Sequence, residues 1–319
     1  MTYRSKKAAM LSVMAVCMAM LAACSTGGHG KATAAAKTNG ETSAAAALSQ
    51  APAATATKPA ASDVSNTPGE AGRGTEYTNM TGQAAKAQLE ELLTYAGIDE
   101  TKDYIASLDA FNSIMPASAG LKDGMTPGSQ KKYDLHVIGN AWTDKYQNKN
   151  DLNCRLAVFQ LMQDKVSAKK TTDYGNYLMF DVDALDNDAR FKALDAKKSE
   201  FIALFDQISV KGIPKEKYAE TYAKALKSRG VKYNDGKASI ISVLMHDPDE
   251  DTLFVGHAGV MIEKDGYVWF LEKLAPTEPY QLTRYPDEAA LKKDLLTRTG
   301  YAESGSDKPV LLKNDAVFK

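Results

Sequence analysis

Residues 252–274 read TLFVGHAGVMIEKDGYVWFLEKL, and this stretch decides how the chain folds. Two apolar, β-branched runs, 252–262 and 267–274, flank the turn signal EKDG. A third run, ASIISVLMH at 238–246, precedes them across the charged turn DPDED. Three such runs separated by turns predict an antiparallel meander, largely buried. Pro309-Val-Leu-Leu adds a candidate edge strand.

Working outward, the residues before the meander are mostly helical in pattern. A helix is expected over 82–97, with Leu89, Leu92 and Leu93 on one face and Gly97 as its stop. A second is expected over 101–114, with Tyr104, Leu108 and Phe111. Residues 115–150 are rich in Gly and Pro and read as loop, with DLHVI at 134–138 open to a short strand. Asp151 to about Val166 reads as a helix that Asp151 or Asn153 can cap. NYLMFDV at 176–182 suggests a short strand, and 186–209 a single helix. Another helix runs from Pro214 to about Ser228, and a last one covers 286–299. Helices first and strands after give the class α+β. The expected architecture is N-terminal helices packed on a small antiparallel sheet.

Composition narrows the possibilities. The chain has 319 residues, with 39 Lys+Arg against 40 Asp+Glu. A net charge of −1 excludes a strongly basic nucleic-acid binder. Arg4, Lys6 and Lys7 precede the uncharged run AAMLSVMAVCMAMLAA at 8–23. That pattern is an export signal, short for a membrane span. It ends in Leu21-Ala22-Ala23-Cys24, which resembles the bacterial lipobox. The resemblance implies cleavage before Cys24 and lipidation of its thiol. Residues 25–75 are dominated by Ala, Thr, Ser, Gly and Pro and hold no aromatic residue. Such a segment buries too little apolar surface to offset its chain entropy. The expected organisation is therefore a signal peptide at 1–23, a lipidated Cys24 with a disordered tether through 75, and one globular domain at 76–319. The partner implied is the membrane, on its extracytoplasmic face, reached through the lipid.

Cys17 leaves with the signal, and Cys24 carries lipid, so Cys154 is the one thiol of the domain. It is either a small buried hydrophobe or a reactive group. Its predicted place is the first turn of a helix, where free N–H groups and the helix dipole stabilise an anion. A thiolate needs a base. His29 lies in the tether, His136 in the loop-rich region, and His246 at a strand end. His257 lies in mid-strand with Gly256 before it and Gly259 two residues after. Glycines there let a backbone or a ligand approach closely.

Register arithmetic links His257 to an acid. With a four-residue loop at 263–266, His257 lies opposite Glu272. With a two-residue loop at Asp265-Gly266, Glu272 lies opposite Gly259 and His257 is its diagonal neighbour. Either register puts His257 and Glu272 on one face. Cys154, His257 and Glu272 are therefore the candidate nucleophile, base and orienter. Asn153, Arg155, Gly256 and Gly259 are the candidate substrate-binding residues. Asn153, Asn150 or Asn140 could assist the Cys154 N–H in stabilising an oxyanion. Arg155 could clamp a carboxylate, although an i,i+4 pair with Asp151 or a surface position is the plainer reading. Glu278, Tyr280, Gln281 and Arg284 read as loop residues able to rim a cleft. DVDALDND at 181–188 lacks the Gly and terminal Glu of a calcium loop. No zinc spacing or phosphate loop is present, so no metal and no cofactor are expected.

The order Cys, His, acid and the run HAGVMIEKDGYVWFLE resemble the His–acid strand pair of papain-like and transglutaminase-like thiol enzymes. Murein peptidases of that layout share it. The resemblance implies a papain/transglutaminase-like core, with the Cys opening a helix against an antiparallel sheet. Glu in place of the commoner Asp or Asn, a Cys–His gap of 103 residues, and Arg155 after the Cys depart from that pattern. YTNM (77–80), LNCR (152–155), GHAGV (256–260) and EKLAPTEPYQ (272–281) together look like a family of surface lipoproteins labelled domain of unknown function 4300. That resemblance implies no activity. The expected function is a lipid-anchored thiol hydrolase or acyl transferase acting on an amide, with cell-wall peptide or another surface amide as substrate. The alternative is a surface lipoprotein that binds a ligand or partner without catalysis.

Overall fold

The computed structural model describes residues 74–129, 133–147, 149, 151–234, 236–298, 301 and 308–319. The expected signal segment, Cys24, and the tether through residue 73 lie outside the described residues, as does Asn150.

In chain order the first elements are β1 (Glu76–Thr78), α1 (Gln83–Tyr95), α2 (Lys102–Ser113), β2 (Thr126–Pro127) and α3 (Leu135–Tyr146). Then come α4 (Cys154–Met162), β3 (Val166–Ser167), α5 (Met179–Asn187), α6 (Lys192–Asp195), α7 (Lys198–Phe205), β4 (Ile208–Ser209), α8 (Tyr218–Ser228) and β5 (Lys232–Tyr233). The long strands follow: β6 (Ala238–Asp247), β7 (Thr252–Lys264), β8 (Tyr267–Lys273) and β9 (Tyr280–Tyr285). The last elements are α9 (Glu288–Thr297), β10 (Val310–Lys313) and β11 (Ala316–Val317). The class is α+β.

The sheet is larger than the expected meander. It has nine strands, in the order β11-β10-β6-β7-β8-β9-β1-β2, with β4 also paired to β7. All of these pairings are antiparallel. Short segments from both ends of the domain extend the three long strands on either side. The run expected at Pro309-Val-Leu-Leu forms β10, paired to β6 and β11, whereas nothing in the two or three residues of β1, β2, β4 and β11 announces a strand, because their pairing is fixed by neighbours far away in the chain.

Alternation along each strand divides the sheet into two apolar faces. Ile240, Leu244, Val260, Ile262, Leu271 and Leu282 join one cluster with residues of α1, α2, α4, α7 and α8. Ile241, Val243, Met261, Phe270 and Tyr285 join another with Leu291 and Leu295 of α9. The sheet thus lies between a thick helical layer and a single helix.

Four local expectations are corrected. DLHVI is not a strand: Asp134 caps α3 by accepting from the Val137 N–H at 3.0 Å, and Ile138 and Trp142 bury at i, i+4. NYLMFDV is not a strand either: it forms a 3₁₀ turn and the start of α5, which buries Asp181, Val182 and Leu185. The single helix expected at 186–209 is interrupted. The Asp188 side chain accepts from the Arg190 N–H at 3.0 Å, and α6, α7 and β4 follow as separate pieces. Residues 280–285 are strand β9, not loop, because their partners β8 and β1 take their backbone groups. Among the described residues, no helix is long and apolar enough to cross a membrane.

Candidate active site

Cys154 is the first residue of α4, and Asn153 is the cap. The Asn153 Oδ1 accepts from the Leu156 N–H at 2.9 Å, while its Nδ2 donates to Asp181 Oδ1 at 2.6 Å. Both ends of this side chain are therefore committed to holding the helix start. Asp151, the other candidate cap, instead faces Lys273, with its Oδ2 3.1 Å from the buried ammonium.

Arg155 does not pair with Asp151 and does not sit on the surface. Its Nε and Nη2 donate to the two oxygens of Asp181 at 3.1 and 2.5 Å. Its Nη1 donates to the Val255 carbonyl at 2.7 Å, which ties α4 to β7 two residues before His257.

The β7 strand carries an irregularity at this point. Val243 opposes His257 and Leu244 opposes Val255, so Gly256 is an extra residue between them. A bulge of this kind re-aims the side chains beside it. The Gly256 carbonyl lies 4.0 Å from the Cys154 Sγ, and the Ala258 backbone helps lower the thiol's pKa. Gly259 serves a different end. A Cβ there would lie 2.2 Å from the Phe270 ring, so its hydrogen leaves room for that ring on the neighbouring strand.

The hairpin uses the two-residue turn. Lys264 opposes Tyr267, and Asp265 and Gly266 have φ of +54° and +73°. Positive φ at both central residues is the type I′ turn that matches strand twist. Glu272 therefore opposes Gly259, and His257 reaches it diagonally. The His257 Nε2 lies 2.7 Å from Glu272 Oε2. That contact leaves Nδ1 as the ring nitrogen free for the thiol, and Cys154 and His257 act on each other's charge. Cys154, His257 and Glu272 are 7%, 2% and 1% exposed. Charges among them act through little water and are correspondingly strong.

Arg298, just after α9, completes the arrangement. Its Nη1 donates to Glu272 Oε2 at 2.5 Å and its Nη2 to Oε1 at 2.9 Å, a two-point grip on the carboxylate. Asp294 holds the guanidinium from one helical turn earlier, with Oδ2 accepting from Nη2 at 2.8 Å and from Nε at 3.1 Å. The Tyr285 hydroxyl donates to Asp294 at 2.7 Å. Gln281 on β9 donates to Glu272 Oε1 at 3.3 Å. Tyr301 stands against the imidazole, with ring centroids 5.8 Å apart, and its hydroxyl accepts from Arg298 Nη1 at 3.4 Å.

The electrostatics follow from these contacts. Burial pushes the Cys154 thiol up, but charge on His257, its hydrogen bond, Arg155 and the Ala258 N–H outweigh that and hold it below its ordinary value. Burial pulls His257 down, but the Cys154 thiolate and Glu272 together raise it to about 9. Burial pushes Glu272 up, yet Arg298 and the His257 hydrogen bond hold it far below the carboxylate range. Each shift depends on the other's charge, so the two groups titrate together rather than singly.

Lys273, the next residue along β8, is fully buried. It faces Asp151, donates to the Glu278 carbonyl, and lies 3.9 Å from the Phe111 ring centre. Burial lowers its pKa, against the pull of Asp151. Arg298, Lys273 and Tyr301 were not singled out in the sequence. For Arg298 the signal was its i+4 spacing from Asp294. For Lys273 it was a second charge inside the apolar run VWFLEKL.

The remaining candidates lie elsewhere. Asn140 Nδ2 contacts His136 Nε2 at 3.1 Å on the exposed face of α3. His246 Nε2 faces the Tyr218 hydroxyl at 3.3 Å. Among the described residues, no group of three or more His, Cys, Asp or Glu is placed to hold a metal ion. YTNM owes its form to Asn79, whose Nδ2 donates to the Tyr133 hydroxyl and the Tyr280 carbonyl at 2.7 and 2.9 Å.

The family described as Domain of unknown function (DUF4300) matches residues 76–318. No curated protein and no solved structure matches the chain.

Proposed function

The chain belongs to the DUF4300 family, whose description carries no activity, and we propose that it is a thiol hydrolase or acyl transferase acting on an amide. The observation that carries this reading is the Cys154–His257–Glu272 line, with the thiol at a helix start and the imidazole 2.7 Å from a buried carboxylate.

The Cys154 thiolate attacks the amide carbonyl carbon, forming a C–S bond and an oxyanion. The Cys154 N–H lies in the first turn of α4, where N–H groups lack intrahelical acceptors and can stabilise that oxyanion. The Tyr301 hydroxyl accepts from Arg298 and donates to none of the described residues, so its hydrogen can supply a second such bond. The imidazolium gives its Nδ1 proton to the leaving nitrogen as the C–N bond breaks, leaving a thioester. Water, or an acceptor amine in the transfer reaction, then gives its proton to His257 and displaces the thiol. Glu272 keeps the ring oriented throughout, as the acid of a triad does.

The proposed setting is the extracytoplasmic face of a membrane, through lipid on Cys24. Its support is the sequence pattern of residues 1–24. Cell-wall peptide or another surface amide is the substrate that such a place offers. The papain/transglutaminase-like comparison is part of the same proposal, supported by the Cys, His, acid order on a helix and an antiparallel strand pair.

A screen of peptidoglycan fragments with wild type and Cys154→Ala tests the activity. Release of a free amine, with a thioester trapped on Cys154 by mass spectrometry, is the expected result. A thiol that stays silent to alkylation until the domain unfolds would overturn the reading and leave a binding protein. Fractionation of cells carrying Cys24→Ser tests the anchor separately: the variant should leave the membrane fraction, and its retention there would refute lipidation.

A further inference from the structure

Among the described residues around the Cys–His pair, Arg155, Lys273 and Arg298 each have an anion. Arg155 grips Asp181 at 2.5 Å, Lys273 faces Asp151 at 3.1 Å, and Arg298 holds both Glu272 and Asp294. One carboxylate remains over. Glu278 stands in the 274–279 connection between β8 and β9, six residues after Glu272. The connection is closed at its neck by the Leu274 N–H donating to the Pro279 carbonyl at 3.1 Å, and inside by the Glu278 N–H donating to Ala275 at 3.0 Å. The Lys273 ammonium donates to the Glu278 backbone carbonyl, so the loop cannot swing freely. Its carboxylate is half-buried and takes no hydrogen bond or ion pair among the described residues.

That carboxylate lies within electrostatic reach of His257, Glu272 and Lys273, and burial pushes its pKa up. Lys273 and His257 offset this charge through space, but a half-buried carboxylate with no direct partner beside a reactive pair is still costly. Lys273 does not serve, because its ammonium is directed at Asp151 and at the Glu278 backbone. Among the described residues no cation makes a direct ion pair with it, which leaves that place to a group from outside the chain.

We infer that the site takes a substrate carrying a cationic group, an ammonium or a guanidinium, near the amide to be cleaved, and that Glu278 receives that group. The inference rests on the thiol-enzyme reading above. An anionic substrate would meet Glu278 and Glu272 with every neighbouring cation already occupied. A cationic one would complete the pairing.

The test uses the full chain and needs no knowledge of the natural substrate. Three methanethiosulfonates of similar size, one trimethylammonium, one neutral and one sulfonate, modify Cys154 at pH 7. Each rate is divided by that for a free thiol in solution. The cationic reagent should be favoured over the anionic by at least about tenfold. Glu278→Gln should remove most of that preference, and Glu278→Asp should retain part of it. Glu250→Gln, an exposed acid in the β6–β7 turn, should leave the ratio as it is. Equal ratios for wild type and Glu278→Gln, or a faster anionic reagent, would overturn the inference with the thiol-enzyme reading intact. A thiol silent to all three reagents in the folded chain would sink that reading, and this inference with it.

Discussion

Glu272 and Lys273 are consecutive on β8, and each holds one half of the reactive pair. The Glu272 carboxylate lies 2.7 Å from His257 Nε2, and the Lys273 ammonium lies 3.1 Å from Asp151, three residues before Cys154. Neighbouring side chains on a strand point to opposite faces. One strand therefore fixes the base from one side and the nucleophile's loop from the other. Lys273→Met should leave the Asp151 carboxylate buried without its cation. The expected loss is about 3–5 kcal/mol, read from urea unfolding. Lys273→Met with Asp151→Asn should recover much of that loss. A single variant as stable as wild type would show that the pair holds nothing.

The thiol should react well below the pH that an ordinary cysteine needs. Its pKa is lowered and that of His257 is raised to about 9, each by the charge of the other. Alkylation of wild type should rise at a lower pH than that of an ordinary thiol. His257→Ala should move the rise toward the unperturbed value of roughly 8.5. Hydrolysis of an amide should lose rate above about pH 9, when the imidazolium that protonates the leaving nitrogen is gone. A single rise near 8.5 in both proteins would contradict an activated pair.

Arg298→Met should destabilise the domain and change its response to acid. Glu272 has a folded pKa far below its unfolded value of roughly 4.3. A depressed carboxylate stabilises the fold above the unfolded pKa, and that contribution is lost as pH falls through the folded one. Without Arg298 the folded pKa rises, so the acid-unfolding midpoint should move to higher pH. The loss at pH 7 should be about 3–5 kcal/mol. Arg298→Lys should not restore it fully, because an ammonium cannot make the two-point contact. Acid titrations followed by circular dichroism measure both effects, and an unmoved midpoint would dismiss Arg298 as the support of Glu272.

Gly256→Ala and Gly259→Ala should differ. At Gly259 the new methyl would meet the Phe270 ring at 2.2 Å, in a packed face with little freedom. Overpacking of that kind costs about 1–3 kcal/mol. At Gly256 it would meet the Met245 side chain at 2.3 Å, which is flexible and can turn aside. Thermal unfolding should therefore show the larger drop for Gly259→Ala. The reverse order would mean that the bulge, not the ring contact, limits these positions.

How far the site was legible depended on distance along the chain. The His257–Glu272 contact could be reached by counting, because a hairpin with an even loop keeps both on one face. The turn type that chose the diagonal register could not, since EKDG fits two loop lengths and only positive φ at Asp265 and Gly266 separates them. Short apolar runs such as NYLMFDV carry no periodicity long enough to distinguish strand from helix. That run became a 3₁₀ turn and α5 because Asp181 has Arg155 and Asn153 to bind.

The sequence alone determined the α+β class, the three long strands, the helix that Cys154 opens, and the two residues of the hairpin able to face each other. These follow from local pattern: apolar periodicity, turn chemistry and capping. Tertiary structure decided the rest. It brought 76–78 beside 280–285, set Lys273 against Asp151, closed Arg298 on Glu272, and left Glu278 without a direct partner among the described residues. Charges are paired by burial in three dimensions, where desolvation makes an unpaired group expensive, and no spacing along the chain encodes that pairing.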